Sequence, residues 1–138
     1  MSSIFVVNSF FLVQATHKTF SLHLRVVQNG WPVKKHPRKG RPSKRFLVCR
    51  EGYLGCIEDA NDVRSLHRKG FPISSILNVV QGASTNVFSR TLANAPDRSA
   101  MDPLCMSVYL KERTLDIECE TTESASSLYK CLQKISNS

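Results

Sequence analysis

The sequence predicts a mainly β domain closed by a single C-terminal helix. Three observations carry this reading: short apolar segments that alternate in period two, Gly, Pro and Asn breaks between them, and a change to 3–4 residue spacing in the last segment. At 138 residues the chain has the length of one domain around one core. An apolar content of 41% and a charged content of 22% set aside the disordered, collagen-like and fibrous classes.

The first apolar run, Ile4 to Val13, fits either a strand or a short amphipathic covering helix, because its period does not separate the two. Asn8 and Ser9 interrupt it, and it falls short of the ~20 residues a membrane-spanning helix needs. It also lacks the basic lead and small-residue cleavage site of a signal peptide. Phe20, Leu22, Leu24 and Val26 then alternate with Ser21, His23 and Arg25, which predicts a half-buried strand ended by Asn29-Gly30. Val33 to His36 leads into His36-Pro37-Arg38-Lys39-Gly40-Arg41-Pro42-Ser43-Lys44, whose prolines and glycine bar a helix and a long central strand.

Arg45 to Cys49 and Tyr53 to Ile57, joined at Glu51-Gly52, continue an antiparallel meander. Glu58 to Gly70 reads as a long polar loop, and connections of that length are often functional. Phe71-Pro72-Ile73 and Ile76 to Val80 follow, Gly82 ends the second, and Thr85 to Phe88 is a further strand candidate. Residues 92–103 read as a second loop, and Cys105 to Leu110 and Thr114 to Cys119 form a hairpin over Lys111-Glu112-Arg113. From Thr122, a capping residue type, Ala125, Leu128, Tyr129, Leu132 and Ile135 recur at helical spacing, with Lys130 and Lys134 near the negative end of the helix dipole.

The five cysteines, an odd number with no C-x-x-C pair, read as reduced thiols packed like small apolar residues, with no zinc spacing among them. No nucleophilic or phosphate-cradling motif surrounds His17, His23, His36 or His67, so the chain is read as non-catalytic and free of cofactors. His36 and His67 are read as loop residues, and Asp116 and Glu118 as solvent-facing carboxylates on one strand face. Charge is distributed unevenly. Residues 1–50 hold ten Lys and Arg and no Asp or Glu, while the remainder holds nine bases against eleven acids.

Four stretches resemble a known family. They are Gly30 to Lys35 with Arg45-Phe46-Leu47; Phe71 to Ile76 running into Ile76-x-x-Val79-x-x-Gly82-x-x-Thr85-x-x-Phe88; Cys105-Met106-Ser107-Val108-Tyr109; and Arg113 to Cys119 before the helix. In order and spacing the chain is similar to pleckstrin homology (PH) domains, in particular those of the phospholipase C-delta type and related plant domains. The resemblance covers roughly Val27 to Ile135 and implies a seven-stranded antiparallel barrel or sandwich capped by one helix. Leu128 stands where the family usually carries a tryptophan, and residues 1–26 have no counterpart in the minimal domain. The expected organisation is therefore an N-terminal extension over residues 1–26, an extra strand or cover, and a PH-like domain over residues 27–136.

The resemblance also implies a phosphoinositide headgroup site between the first-to-second-strand loop and the third-to-fourth-strand loop. Here the first supplies Lys34, Lys35, His36, Arg38, Lys39, Arg41, Lys44 and Arg45, seven formal positive charges in twelve residues without an acid. The second supplies Arg64, Arg68 and Lys69, with His67 beside them. Arginine forks and lysine point charges suit a phosphate cluster, and each base near an anionic leaflet adds ~1 kcal/mol. The expected role is recruitment of the chain to a phosphoinositide-bearing or otherwise anionic membrane, with a cytoplasmic, membrane-peripheral and even cytoskeleton-associated location. The alternative is a PH-fold scaffold that binds a protein partner or a second copy through Phe5, Phe10, Phe11 and Val13. Nucleic acid is disfavoured because Trp31 is the one aromatic near the basic loop that could stack on a base.

Overall fold

The computed structural model describes residues 24–137. The described residues form, in chain order, α1 (residues 24–29), β1 (Trp31–His36), β2 (Ser43–Arg50), β3 (Tyr53–Ile57), α2 (Val63–Lys69), β4 (Phe71–Pro72), β5 (Ile76–Gln81), α3 (Asn86–Thr91), α4 (Arg98–Met101), β6 (Cys105–Leu110), β7 (Thr114–Glu118) and α5 (Thr122–Ser136). All strand pairs are antiparallel, in the spatial order β4-β3-β2-β1-β7-β6-β5. The two edge strands are consecutive in the chain, joined by the 3-10 turn Ile73–Ser75, so the sheet bends back around one core.

Residues directly opposite one another across a ladder share a face, and that rule sorts the side chains. Trp31, Val33, Leu47, Cys49, Met106, Val108, Leu115 and Ile117 point inward and meet Ala125, Leu128, Cys131, Leu132 and Ile135 of α5. Leu128 is fully buried there. Helix α5 begins as the apolar spacing requires, with its cap at Thr121, one residue earlier than expected, because the Thr121 hydroxyl accepts the Ser124 N–H at 3.0 Å.

The outer face is also covered, and this departs from the sequence reading. Segment 58–70, expected as a loop, contains α2, capped by Asp62 and laid by Leu66 against Val48 and Ile57. Close approach is possible because Gly55 and Gly70 meet with no side chain between them; a Cβ at Gly70 would lie 2.5 Å from the Leu66 carbonyl oxygen. Thr85 to Phe88, expected as a strand, is the start of α3: the Thr85 hydroxyl caps it, and Phe88 drops into a second outer cluster with Ala83, Leu92 and Cys105. Residues 92–103 likewise hold α4 and a 3-10 turn.

The strand expected over Phe20 to Val26 is corrected for its described part. Residues 24–29 are helical, Val27 is fully buried, Leu24 packs beside it, and Val26 is 42% exposed, the spacing of a helix. Gly30 ends this helix at φ +116°. Ile4 to Val13 and residues 20–23 lie outside the described residues. Among the described residues, no helix is long and apolar enough to cross a membrane.

Candidate functional site

The register brings three cations to one end of the inward face. Val33 opposes Arg45, Lys35 opposes both Ser43 and Ile117, and Ile117 is wholly interior. Lys35 and Arg45 thus follow Val33 and Leu47 on the barrel-facing side, at the end where β1 passes into β2. The β6–β7 hairpin closes at the same end, where the Leu110 N–H donates to the Arg113 carbonyl at 2.9 Å and Leu110 faces the core. Arg113, opposite Leu110, joins Lys35 and Arg45. All three act on the buried thiol of Cys56: burial pushes it up to about 12, while the positive charges of Lys35, Arg45 and Arg113 each pull it down. Arg113 was not foreseen; its signal was the even spacing from Leu115 and Ile117, which puts residue 113 on the inward parity.

Beyond this mouth, Arg38, Lys39 and Arg41 are exposed on the β1–β2 loop. Lys34 and Lys44 are exposed on the outer face, directly opposite each other. Arg45 carries an acidic contact at the mouth: its Nη2 lies 3.3 Å from Glu58 Oε2, with the two side chains 28% and 72% exposed, and its Nη1 donates to the Lys44 carbonyl at 2.8 Å. Exposed pairs of this kind contribute ~0–1 kcal/mol, so Arg45 is readily exchanged to another anion.

His36 is neither a loop residue nor available to a ligand. It is the last residue of β1, 3% exposed, with both ring nitrogens engaged. The Thr91 hydroxyl donates to the Val87 carbonyl at 3.0 Å, so it accepts from His36 Nδ1 at 2.7 Å; Nε2 lies 2.9 Å from Glu118 Oε1. The His36 ring also packs on Phe88, with centroids 4.8 Å apart. Asp116, expected to face solvent, is 1% exposed under α3 and accepts from the hydroxyls of Thr85, Ser107 and Thr114 at 2.6–2.8 Å. Both corrections have one cause: α3 covers an outer face that strand alternation alone assigns to water.

The third-to-fourth-strand bases sit elsewhere. Arg64, Arg68 and Lys69 are exposed on α2, which lies along the outer face of β2 and β3. The end of that helix reaches the β2–β3 turn, where His67, a helical residue, is 3.3 Å from Glu51 and stacks near Tyr53. That turn is at the far end of the strands from the β1–β2 loop, so Arg68 and Lys69 are not brought to the mouth. Trp31 is 7% exposed and donates from Nε1 to Ser124 Oγ at 3.1 Å, so it packs rather than presenting a stacking face. All five cysteines are free and buried.

A cleft of about 560 Å³ lies where β1 and β7 diverge, lined by Pro32, Phe46 and Glu118 among others and reaching the pair of Arg45 and Glu58. Its lining is mixed in charge, with Lys34, Lys44 and Arg45 set against Glu58, Glu118 and Glu120. Among the described residues, no cluster of His, Cys, Asp and Glu could hold a metal ion.

No protein-family model and no curated protein sequence matches the chain. Solved structures do resemble it. Inner Membrane Complex sub-compartment protein 1 of Toxoplasma gondii superposes with a TM-score of 0.59 at 12% identity, over 100% of this chain and 99% of that one. Sub-compartment protein 3 of the same organism gives 0.57 at 10% identity, over 87% and 84%. The PH domain from TgAPH gives 0.56 at 11% identity, over 87% and 90%. Seven antiparallel strands and one C-terminal helix, in the arrangement shared with these structures, make this a PH-like fold.

Proposed function

We propose that the chain is a non-catalytic PH-type module that binds phosphoinositide headgroups and so recruits the protein carrying it to an anionic membrane surface. The convergence of Lys35, Arg45 and Arg113 at the open end of the barrel carries this reading. Lys35 and Arg45 are aimed by the ladder and Arg113 stands directly before β7, so a phosphate at the mouth meets two guanidinium forks and one ammonium without reordering the strands. Arg38, Lys39 and Arg41 on the adjoining loop extend the positive field toward the leaflet. The PH-like fold, shared with two structural neighbours named as inner membrane complex sub-compartment proteins, supports the same direction.

Sedimentation with vesicles tests it. The protein is expected to pellet with vesicles containing a phosphoinositide more strongly than with phosphatidylserine at equal charge, and the triple replacement of Lys35, Arg45 and Arg113 by Ala is expected to abolish the difference. Equal pelleting on both vesicle types would reduce the mouth to general electrostatics.

A second reading, a protein-binding scaffold, is favoured by the cleft beside Phe46, which is 36% exposed with Pro32 next to it on the outer face. Failure to pellet on any vesicle together with a stable dimer in light scattering would select that reading.

A further inference from the structure

Arg90 stands on α3, far in sequence from the cationic segment, yet its guanidinium is directed at it. Nη1 donates to the Gly40 carbonyl at 3.0 Å and Nη2 to the Pro37 carbonyl. We propose that Arg90 is a positioning residue that clamps the β1–β2 loop in the one conformation presenting its bases to phosphate; the functional half of this proposal rests on the headgroup-binding reading above.

Four features carry it. Residues 37–42 lie between strands, outside the ladder that orders Ser43 to Arg50. Gly40, at φ +91°, has nothing within 4 Å of where a Cβ would stand, so packing does not hold the tip. A planar guanidinium can satisfy two carbonyls three residues apart, whereas an ammonium reaches them only as a point charge. The clamp is itself anchored, because the next residue, Thr91, accepts from His36, Phe88 of the same helix is fully buried against the His36 ring, and Thr85 caps the helix while bonded to Asp116.

The consequence is electrostatic as well as geometric. Carbonyl oxygens bound to Arg90 are turned from any anion on the loop, and the loop's own bases are left without the negative ends of those dipoles beside them. An ordered loop also binds without the entropic cost of fixing it at the moment of contact.

The test uses the whole chain with Arg90→Lys and Arg90→Gln, reading amide hydrogen exchange at Arg38, Lys39, Gly40 and Arg41, calorimetric titration with soluble inositol trisphosphate, and pelleting with phosphatidylserine vesicles. Exchange of the four amides is expected to accelerate about tenfold or more in both variants, with strand amides unchanged. Affinity for inositol trisphosphate is expected to fall about tenfold in both, while Arg90→Lys, whose charge is kept, pellets with phosphatidylserine like the parent. Unchanged loop exchange in both variants overturns the clamp. Loss of affinity in Arg90→Gln alone also overturns it, since the side chain would then act as a charge and not as a fork. Were the parent not to bind inositol trisphosphate, the headgroup reading would fail, and the exchange rates would still decide the clamp.

Discussion

Glu58 is the acid that competes for the mouth, and its removal is the sharpest probe of how the site works. Its carboxylate lies 3.3 Å from Arg45 Nη2 and is 72% exposed, so a phosphate reaching Arg45 must displace it. An exposed pair of this kind is worth at most about 1 kcal/mol, and 1.4 kcal/mol corresponds to a factor of ten in binding. Glu58→Gln is therefore expected to raise affinity for soluble inositol trisphosphate by about two- to fivefold at low salt. The gain should shrink as ionic strength rises and the exposed charges are screened. Arg45→Ala removes the fork that Glu58 competes for, so in that background Glu58→Gln should gain little, a coupling read by a double-mutant cycle in titration calorimetry. An affinity lowered by Glu58→Gln, or a gain of the same size without Arg45, would refute the placement of Arg45 in the site.

Lys35→Ala and Arg113→Ala are each expected to weaken inositol trisphosphate binding tenfold or more, the size of a charge-assisted hydrogen bond, whereas Arg68→Ala and Lys69→Ala on α2 should change it less than about twofold. Asp116→Ala strands three hydroxyls under α3, and urea denaturation should record a loss of about 3 kcal/mol. The thiols give an alkaline dependence: burial raises Cys56 and Cys105 to about 12 and Cys119 and Cys131 to about 11. Because the folded values lie above the unfolded thiol range, this stability is fully present below about pH 8.5 and is lost as pH rises toward 11–12. Urea midpoints measured between pH 7 and 11 should fall, and replacing Cys56 by Ala should flatten the fall.

The inward half of the molecule was legible because period two and period 3.6 report on a face that must be apolar. Val33, Leu47, Leu115 and Ile117 stand where alternation places them, and Leu128 and Leu132 where the helical spacing does. The outer half was not, since alternation says only which residues leave the core and nothing of what covers them. Val63 to Lys69 and Asn86 to Thr91 are too short for a helical pattern to stand out, and each is held by one buried anchor, Leu66 or Phe88, with an Asp62 or Thr85 cap. The same blindness misplaced His36 and Asp116. The site divides in the same way: Lys35 and Arg45 follow from the ladder, while Arg113 needed the hairpin register and Arg90 a contact across fifty residues.

Lys34 and Lys44 are directly opposite each other on an exposed face, and like charges so placed oppose pairing. Glu118, on the other side of Lys34, also lies 2.9 Å from His36 Nε2. The segment from residue 30 to residue 50 contains no Asp or Glu, and its loop is held by a base, Arg90. The β1–β2 loop thus keeps its bases with no acid of its own, and under the headgroup-binding proposal an anion would offset the resulting repulsion as binding free energy.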